Sequence, residues 1–154
     1  MPIPDFVLEL RRHIGHAPLW LPGVTAVVLR GDEVLLIRRA DNLAWSPITG
    51  IVDPGEHPAT AAIREAREEA GVSAVVRRLA SVTVGEPVVH VNGDRAQYLD
   101  HAFRCDFVAG DPHPADDECV DAGWFQLDLL PPMAEHFLAR IDAASSGETA
   151  PRLS

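Results

Sequence analysis

Three glutamates, Glu65, Glu68 and Glu69, restrict the fold and chemistry of this chain more than any other feature. They lie in a segment that reads as a helix. At 100° per residue they fall within a wedge of roughly 100° on one face. Like charges at i,i+4 destabilise a helix, so a carboxylate wedge signals a positive occupant. A hard divalent cation such as Mg²⁺ takes oxygen ligands and bridges carboxylates to phosphates. The surrounding stretch, Gly50 to Val72, reads GIVDPGEHPATAAIREAREEAGV. Asp53-Pro54-Gly55 is turn chemistry. Pro58 suits the first helical position, where its missing N–H costs nothing. Ala59, Ile63, Ala66 and Ala70 form a second, small-residue wedge for close packing on a sheet. Gly71 supplies the left-handed residue that commonly ends a helix. The unit expected is loop–helix–loop, with its acidic face towards a cleft.

This stretch resembles the Nudix box, G-x5-E-x7-R-E-U-x-E-E-x-G-U, where U is a bulky apolar residue. Gly50, Glu56, Arg64, Glu65, Glu68, Glu69 and Gly71 fill the fixed places, and Val72 fits the final U. The first U is the smaller Ala66. At roughly 7% usage per residue, such a match arises by chance about once in a million chains of this length, so coincidence is set aside. The resemblance implies an α/β/α sandwich with a mixed central β-sheet. It also implies hydrolysis of a nucleoside diphosphate linked to another moiety, with Mg²⁺ as cofactor and Mn²⁺ as a substitute. By carry-over, Glu68 and Glu69 are the main metal ligands, and Glu65 is a further ligand or the general base. The backbone carbonyl of Thr49 is an additional ligand, and Arg64 pairs with Glu56 to orient the site. An i,i+4 bridge from Arg64 to Glu68 is the plainer reading of that arginine. Many relatives enter the box through Trp-x-x-Pro-Gly-Gly. Here Trp45-Ser46-Pro47-Ile48-Thr49-Gly50 keeps the tryptophan and last glycine but places threonine before Gly50.

Composition bounds the alternatives. A chain of 154 residues suffices for one domain with a real core. One domain is expected over residues 1–144, with an unstructured tail over 145–154. No apolar run approaches the roughly 18 residues of a membrane span, and residues 1–20 carry charges throughout, unlike a signal peptide. Cys105 and Cys119 lack paired metal spacing, which points to two reduced thiols and a cytoplasmic location. The net charge of −10 argues against a broad nucleic-acid surface. It leaves a small phosphorylated nucleotide open, because bound cations invert the local field. All thirteen basic residues are arginine, so no lysine serves as nucleophile, and phosphates must be held by arginine, metal or backbone N–H groups.

Along the chain, residues 5–14 read as a short amphipathic helix. Val24–Arg30 and Val34–Arg39 read as strands around Gly31-Asp32-Glu33. Residues 73–91 and 96–108 are strand-like and break at Asn92-Gly93-Asp94. Residues 111–117 form a polar loop, Trp124-Phe125 belongs to another strand, and residues 132–144 form a last helix.

Outside the box, Glu118 in the cluster Asp116-Asp117-Glu118 is the candidate for an extra ligand or base, against a solvated loop. Arg38, Arg39, Arg95 and Arg104 are candidates for phosphate contacts, and Tyr98 and Trp20 for base stacking. His57 is expected at the helix start. Pro87, fifteen residues after the box, resembles the proline of ADP-ribose-cleaving relatives. ADP-ribose or a nucleotide sugar is therefore the favoured substrate class. A nucleoside triphosphate pyrophosphohydrolase and a non-catalytic nucleotide-binding module are the alternatives, and family habit suggests a homodimer.

Overall fold

The computed structural model describes residues 3–154. Residues 1 and 2 of the expected domain lie outside the described residues.

The element order begins with α1 (Asp5–Ile14), β1 (Leu19–Arg30), β2 (Glu33–Arg39), β3 (Trp45–Ser46) and β4 (Ile48–Ile51). It continues with α2 (Pro58–Ala70), β5 (Ser73–Val84), β6 (Val88–Val89), β7 (Arg95–Ala109), β8 (Cys119–Gln126) and α3 (Glu135–Ser145). β1 is the spine of a mixed sheet. It runs parallel to β7 from Leu19↔Ala96 to Leu29↔Asp106. It is antiparallel to β4 and, at the hairpin end, to β2. β5 and β6 pair antiparallel with β7, and β3 and β8 with β2.

The expected α/β/α layering is present. Val24, Ala26 and Val28 of β1 join Ala61, Ala62, Ala66 and Ala70 of α2 in one core. Val27 and Leu29 join Ile141, Ala143 and Ala144 of α3 in another. A strand covered on both faces reads as a continuous apolar run, not an alternating one, hence Ala26-Val27-Val28-Leu29. Thr25, the buried polar residue just before that run, donates to the buried Asp100 carboxylate at 2.9 Å. Arg140 of α3 lies against the same carboxylate at 3.2 Å, tying α3 to the sheet.

Some boundaries differ from the sequence reading. The strand-like stretch 73–91 breaks at Gly85-Glu86-Pro87, because proline offers no N–H to a ladder. The last helix starts at Glu135, with Ala134 still extended at ψ 143°; Pro131 and Pro132 hold the preceding chain out of helical geometry. Where an unstructured tail was expected, the backbone of Arg152 bridges Ser81 on β5. Its guanidinium pairs with Asp142 and Glu148, both at 2.9 Å. The local sequence carries no strand signal, and the free edge of β5 supplies the backbone partners. No helix of the described residues is long and apolar enough to cross a membrane.

Candidate active site

The site is built on α2, whose ends fall where the sequence places them. His57 occupies the N-cap position in an extended conformation, and Pro58 is in the first turn. Gly71 is left-handed at φ 67°, and the amides of Gly71 and Val72 return to the carbonyls of Arg67 and Ala66. Those bonds satisfy carbonyls that a helix end otherwise leaves orphaned.

The packed stripe of α2 differs from the expected one. Ala61, Ala62, Glu65, Ala66, Glu69 and Ala70 are buried, while Ala59 and Ile63 sit at the margin of the core. The carboxylate wedge is therefore divided. Glu65 is 1% exposed and Glu69 3%, whereas the Glu68 side chain is 49% exposed. Glu65 lies directly under β4: a Cβ on Gly50 would come within 2.2 Å of the Glu65 Cδ. Glycine at position 50 is thus a requirement of the carboxylate and not of the turn.

Arg64 is the hub. Its Nε donates to Glu56 Oε1 at 2.8 Å and its Nη2 to Glu56 Oε2 at 2.9 Å, a bidentate pair. Its Nη1 donates to Glu65 Oε1 at 2.8 Å and Glu68 Oε2 at 3.1 Å, and its Nη2 also to the Ile51 carbonyl at 3.1 Å. Both readings of Arg64, the Glu56 pair and the i,i+4 bridge, describe real contacts. Glu56 Oε2 also accepts from the Asp53 amide, closing the turn before α2. The Arg64 hydrogen bonds hold the Glu56 carboxyl below the usual range. Burial pushes Glu65 up to about 7 against the pull of Arg64, and burial together with Glu65 pushes Glu69 up to about 8.

Two cavities open along this wedge. One, of about 540 Å³, is lined by Asp53, Arg64, Glu65 and Glu68. The other, of about 600 Å³, is lined by Glu69, Glu118, Asp117, Arg39 and Tyr98. Glu118 reaches it through the loop after β7. The amides of His113 and Ala115 donate to the carbonyls of Ala70 and Glu69, and the Ala40 amide donates to the Glu118 carbonyl. The loop thereby covers the C-terminal end of α2 and sets Glu118 in the cavity that holds Glu69.

Of the other candidates, Arg39 lines that cavity, with its guanidinium held by Asp41 at 2.9 Å and 3.1 Å. Tyr98 lines it as well, its hydroxyl 3.2 Å from His90 Nε2. Thr49 lies opposite Thr25 in the β1–β4 ladder. Thr49, Arg38, Arg95, Arg104, His57, Trp20 and Pro87 line neither cavity. Cys105 and Cys119 are free and buried, and burial pushes both thiols up to about 12. Arg11, His90 and Asp94 line the larger cavity and were not singled out in the sequence; the amphipathic pattern of residues 5–14 was the available signal for the first.

The donor set fits a hard cation. Oε2 of Glu65 and of Glu69 are buried with no hydrogen-bond partner. A buried carboxylate oxygen without a partner is costly, and a divalent ion removes that cost. Among the described residues no three His, Cys, Asp or Glu side chains are gathered as a ready cluster. Glu68 is turned instead to Arg64.

Residues 19–144 match the family model described as NUDIX domain. The NAD-capped RNA hydrolase NudC of Pseudomonas aeruginosa is 34% identical over 144 residues, which cover 88% of this chain and 49% of that protein. The NudC of Chromobacterium violaceum is 35% identical over 119 residues, covering 75% and 42%. The chain spans about half the length of these curated relatives. Among solved structures, an ADP-ribose pyrophosphatase from Streptococcus suis is similar with a TM-score of 0.65 and 25% identity, over 87% of this chain and 98% of that one. A UDP-X diphosphatase shares the fold, with a TM-score of 0.69 and 21% identity, over 97% and 74%.

Proposed function

Since this chain belongs to the NUDIX family, we propose that it is a Mg²⁺-dependent pyrophosphohydrolase acting on a nucleoside diphosphate linked to another moiety, with ADP-ribose or a nucleotide sugar preferred. The observation that carries this reading is the pair of buried carboxylates, Glu65 and Glu69, each with an orphaned oxygen beside a nucleotide-sized cavity. Glu65, Glu68 and Glu69 would hold the cation, with the Thr49 carbonyl as a further ligand. A bound divalent ion neutralises phosphate charge, orients a water and stabilises the leaving oxygen.

The remaining work falls to the protein. Arg64 fixes the Glu65 carboxylate and, through Glu56, the turn that carries Asp53. Glu118 faces the cavity of Glu69 and is the candidate acceptor for the proton of the attacking water, a role Glu65 shares as alternative. Arg39 offers a preset guanidinium to a phosphate on the same side. Tyr98 offers a ring to a nucleobase. Pro87 is exposed and lines neither cavity, so support for ADP-ribose comes from the Streptococcus suis structure and not from that proline.

A panel of nucleotide derivatives with Mg²⁺, followed by product identification, tests the reading. ADP-ribose should give AMP and ribose 5-phosphate, and EDTA should abolish turnover. Nucleoside triphosphates yielding monophosphate and pyrophosphate while ADP-ribose stays intact would transfer the assignment to the triphosphate alternative. Tight binding without turnover of any compound would leave a nucleotide-binding module.

A further inference from the structure

The chain's own N-terminal segment borders both cavities. Ile3 and Pro4, together with Ile51, line both of them. Glu65 and Glu68 line one of the two, and Glu69 and Glu118 the other. α1 then continues over the larger cavity, where Val7 and Arg11 form part of the wall. This segment precedes residues 19–144, which match the family model.

The segment is held by a small seat and a set of polar ties. Val7 is the one buried residue of α1. It packs with Leu21, Ile51 and Ala96, flanked by Phe6, Leu19 and Tyr98. Arg11 donates to the carbonyls of Gly15 at 3.1 Å, Ala17 at 2.5 Å and Arg95 at 2.8 Å. Its Nε lies 3.6 Å from Asp94, whose other oxygen is 2.8 Å from His16 Nδ1. These contacts bind α1 to the turn before β7 and finish the far end of the larger cavity.

We infer that residues 3–14 are a specificity element, a wall common to both cavities that admits a compact nucleoside diphosphate derivative and rejects one whose far end continues as an RNA chain. The inference rests on the pyrophosphohydrolase reading and deepens it. Each compartment has the volume of a small-molecule site, so the two halves of a free dinucleotide or nucleotide sugar are accommodated on either side of the carboxylates. A polynucleotide needs an open track and phosphate neutralisation along it. Here Ile3-Pro4 and α1 wall the site, and in a chain of net charge −10 arginine alone is left to replace phosphate counterions.

The test compares ADP-ribose with a 5′-NAD-capped RNA decamer, for the parent and for Val7→Asp, which places a charge in the apolar seat of α1. Binding is measured with analogues whose bridging pyrophosphate oxygen is replaced by CH₂, and turnover with the natural compounds. The parent should bind the ADP-ribose analogue at least about 50-fold more tightly than the RNA analogue, and Val7→Asp should narrow that preference by about 10-fold or more. Amide exchange over residues 5–14 reports whether α1 is released. Should Val7→Asp not fold, Phe6→Ala, which trims the same seat, must narrow the preference in the same direction. A parent that binds both analogues within about 3-fold of each other overturns the inference. So does an unchanged preference in a variant with released α1. Analogues bound with the expected preference while the natural compounds stay uncleaved would refute the hydrolase reading alone.

Discussion

At the scale of single residues, Gly50 and Glu68 separate geometry from charge. The Glu65 carboxyl occupies the space a Gly50 side chain would fill. Gly50→Ala should therefore destabilise the protein by about 1–3 kcal/mol, the range for overpacking a filled site. It should also remove most activity, because Glu65 cannot keep both its place and its bond to Arg64. Denaturant unfolding and turnover check this, and a Gly50→Ala protein with parental activity would show that Glu65 need not stay where it is. Glu68 behaves differently because it is half exposed. Glu68→Gln loses an i,i+4 bridge to Arg64 worth about 0.3–0.5 kcal/mol and relieves a like-charge contact of similar size. Without metal it should melt within about a degree or two of the parent. Activity should nevertheless fall by at least about 100-fold, the scale for a lost positioned charge, and Mg²⁺ should raise the parent's melting temperature more than the variant's. A Glu68→Gln protein that melts much lower yet turns over normally would make Glu68 a structural residue.

At the scale of elements, the end of α2 is where helix, loop and cavity meet. Gly71 is left-handed, and a Cβ there would come within 2.3 Å of the His113 ring. Gly71→Ala combines two costs, about 1–2 kcal/mol for a side chain in the left-handed region and the displacement of His113. The loop that His113 belongs to donates its amides to Ala70 and Glu69 and presents Glu118. The variant should lose stability by about 2 kcal/mol or more, and its activity should fall as the loop lifts. Adding His113→Ala should restore the steric part and leave the backbone part. A double-mutant cycle in urea reads the difference, and strict additivity would show that the ring is not pressed against Gly71.

At the scale of the whole molecule, the buried carboxyls couple folding to pH. Burial raises Glu65 to about 7 and Glu69 to about 8. Between the ordinary glutamate range and those values the folded chain binds more protons than the unfolded one, so stability falls as pH rises. The metal-free protein should have a lower denaturant midpoint near about pH 8.5 than near about pH 5.5, since the contribution of both groups is complete only below the unfolded value. Glu56 works in the opposite sense. Its lowered value contributes stability that is present above the ordinary range and lost in acid. Added Mg²⁺ should stabilise more at the higher pH, because it binds the ionised carboxylates. A metal-free midpoint that climbs between these two pH values would mean that both carboxyls are already ionised in the folded chain.

The family and the central helix were legible in the residues themselves, because their signals are local. Pro58 and Gly71 fix the ends of α2, the spacing of Gly50, Glu56, Arg64 and the three glutamates identifies the box, and the turns at Gly31-Asp32 and Asn92-Gly93-Asp94 delimit their strands. Helical periodicity placed Glu65, Glu68 and Glu69 on one side, but an angle on a helix does not say what packs against it. Only the sheet decided that Glu65 lies under Gly50 and Glu69 in the core while Glu68 stays half in water. The same holds for Glu118, carried to Glu69 by loop amides seeking the free carbonyls of α2, and for α1, seated over the cavities by Val7. Those positions depend on contacts between residues far apart in sequence, and packing a filled core selects them, which no local pattern encodes.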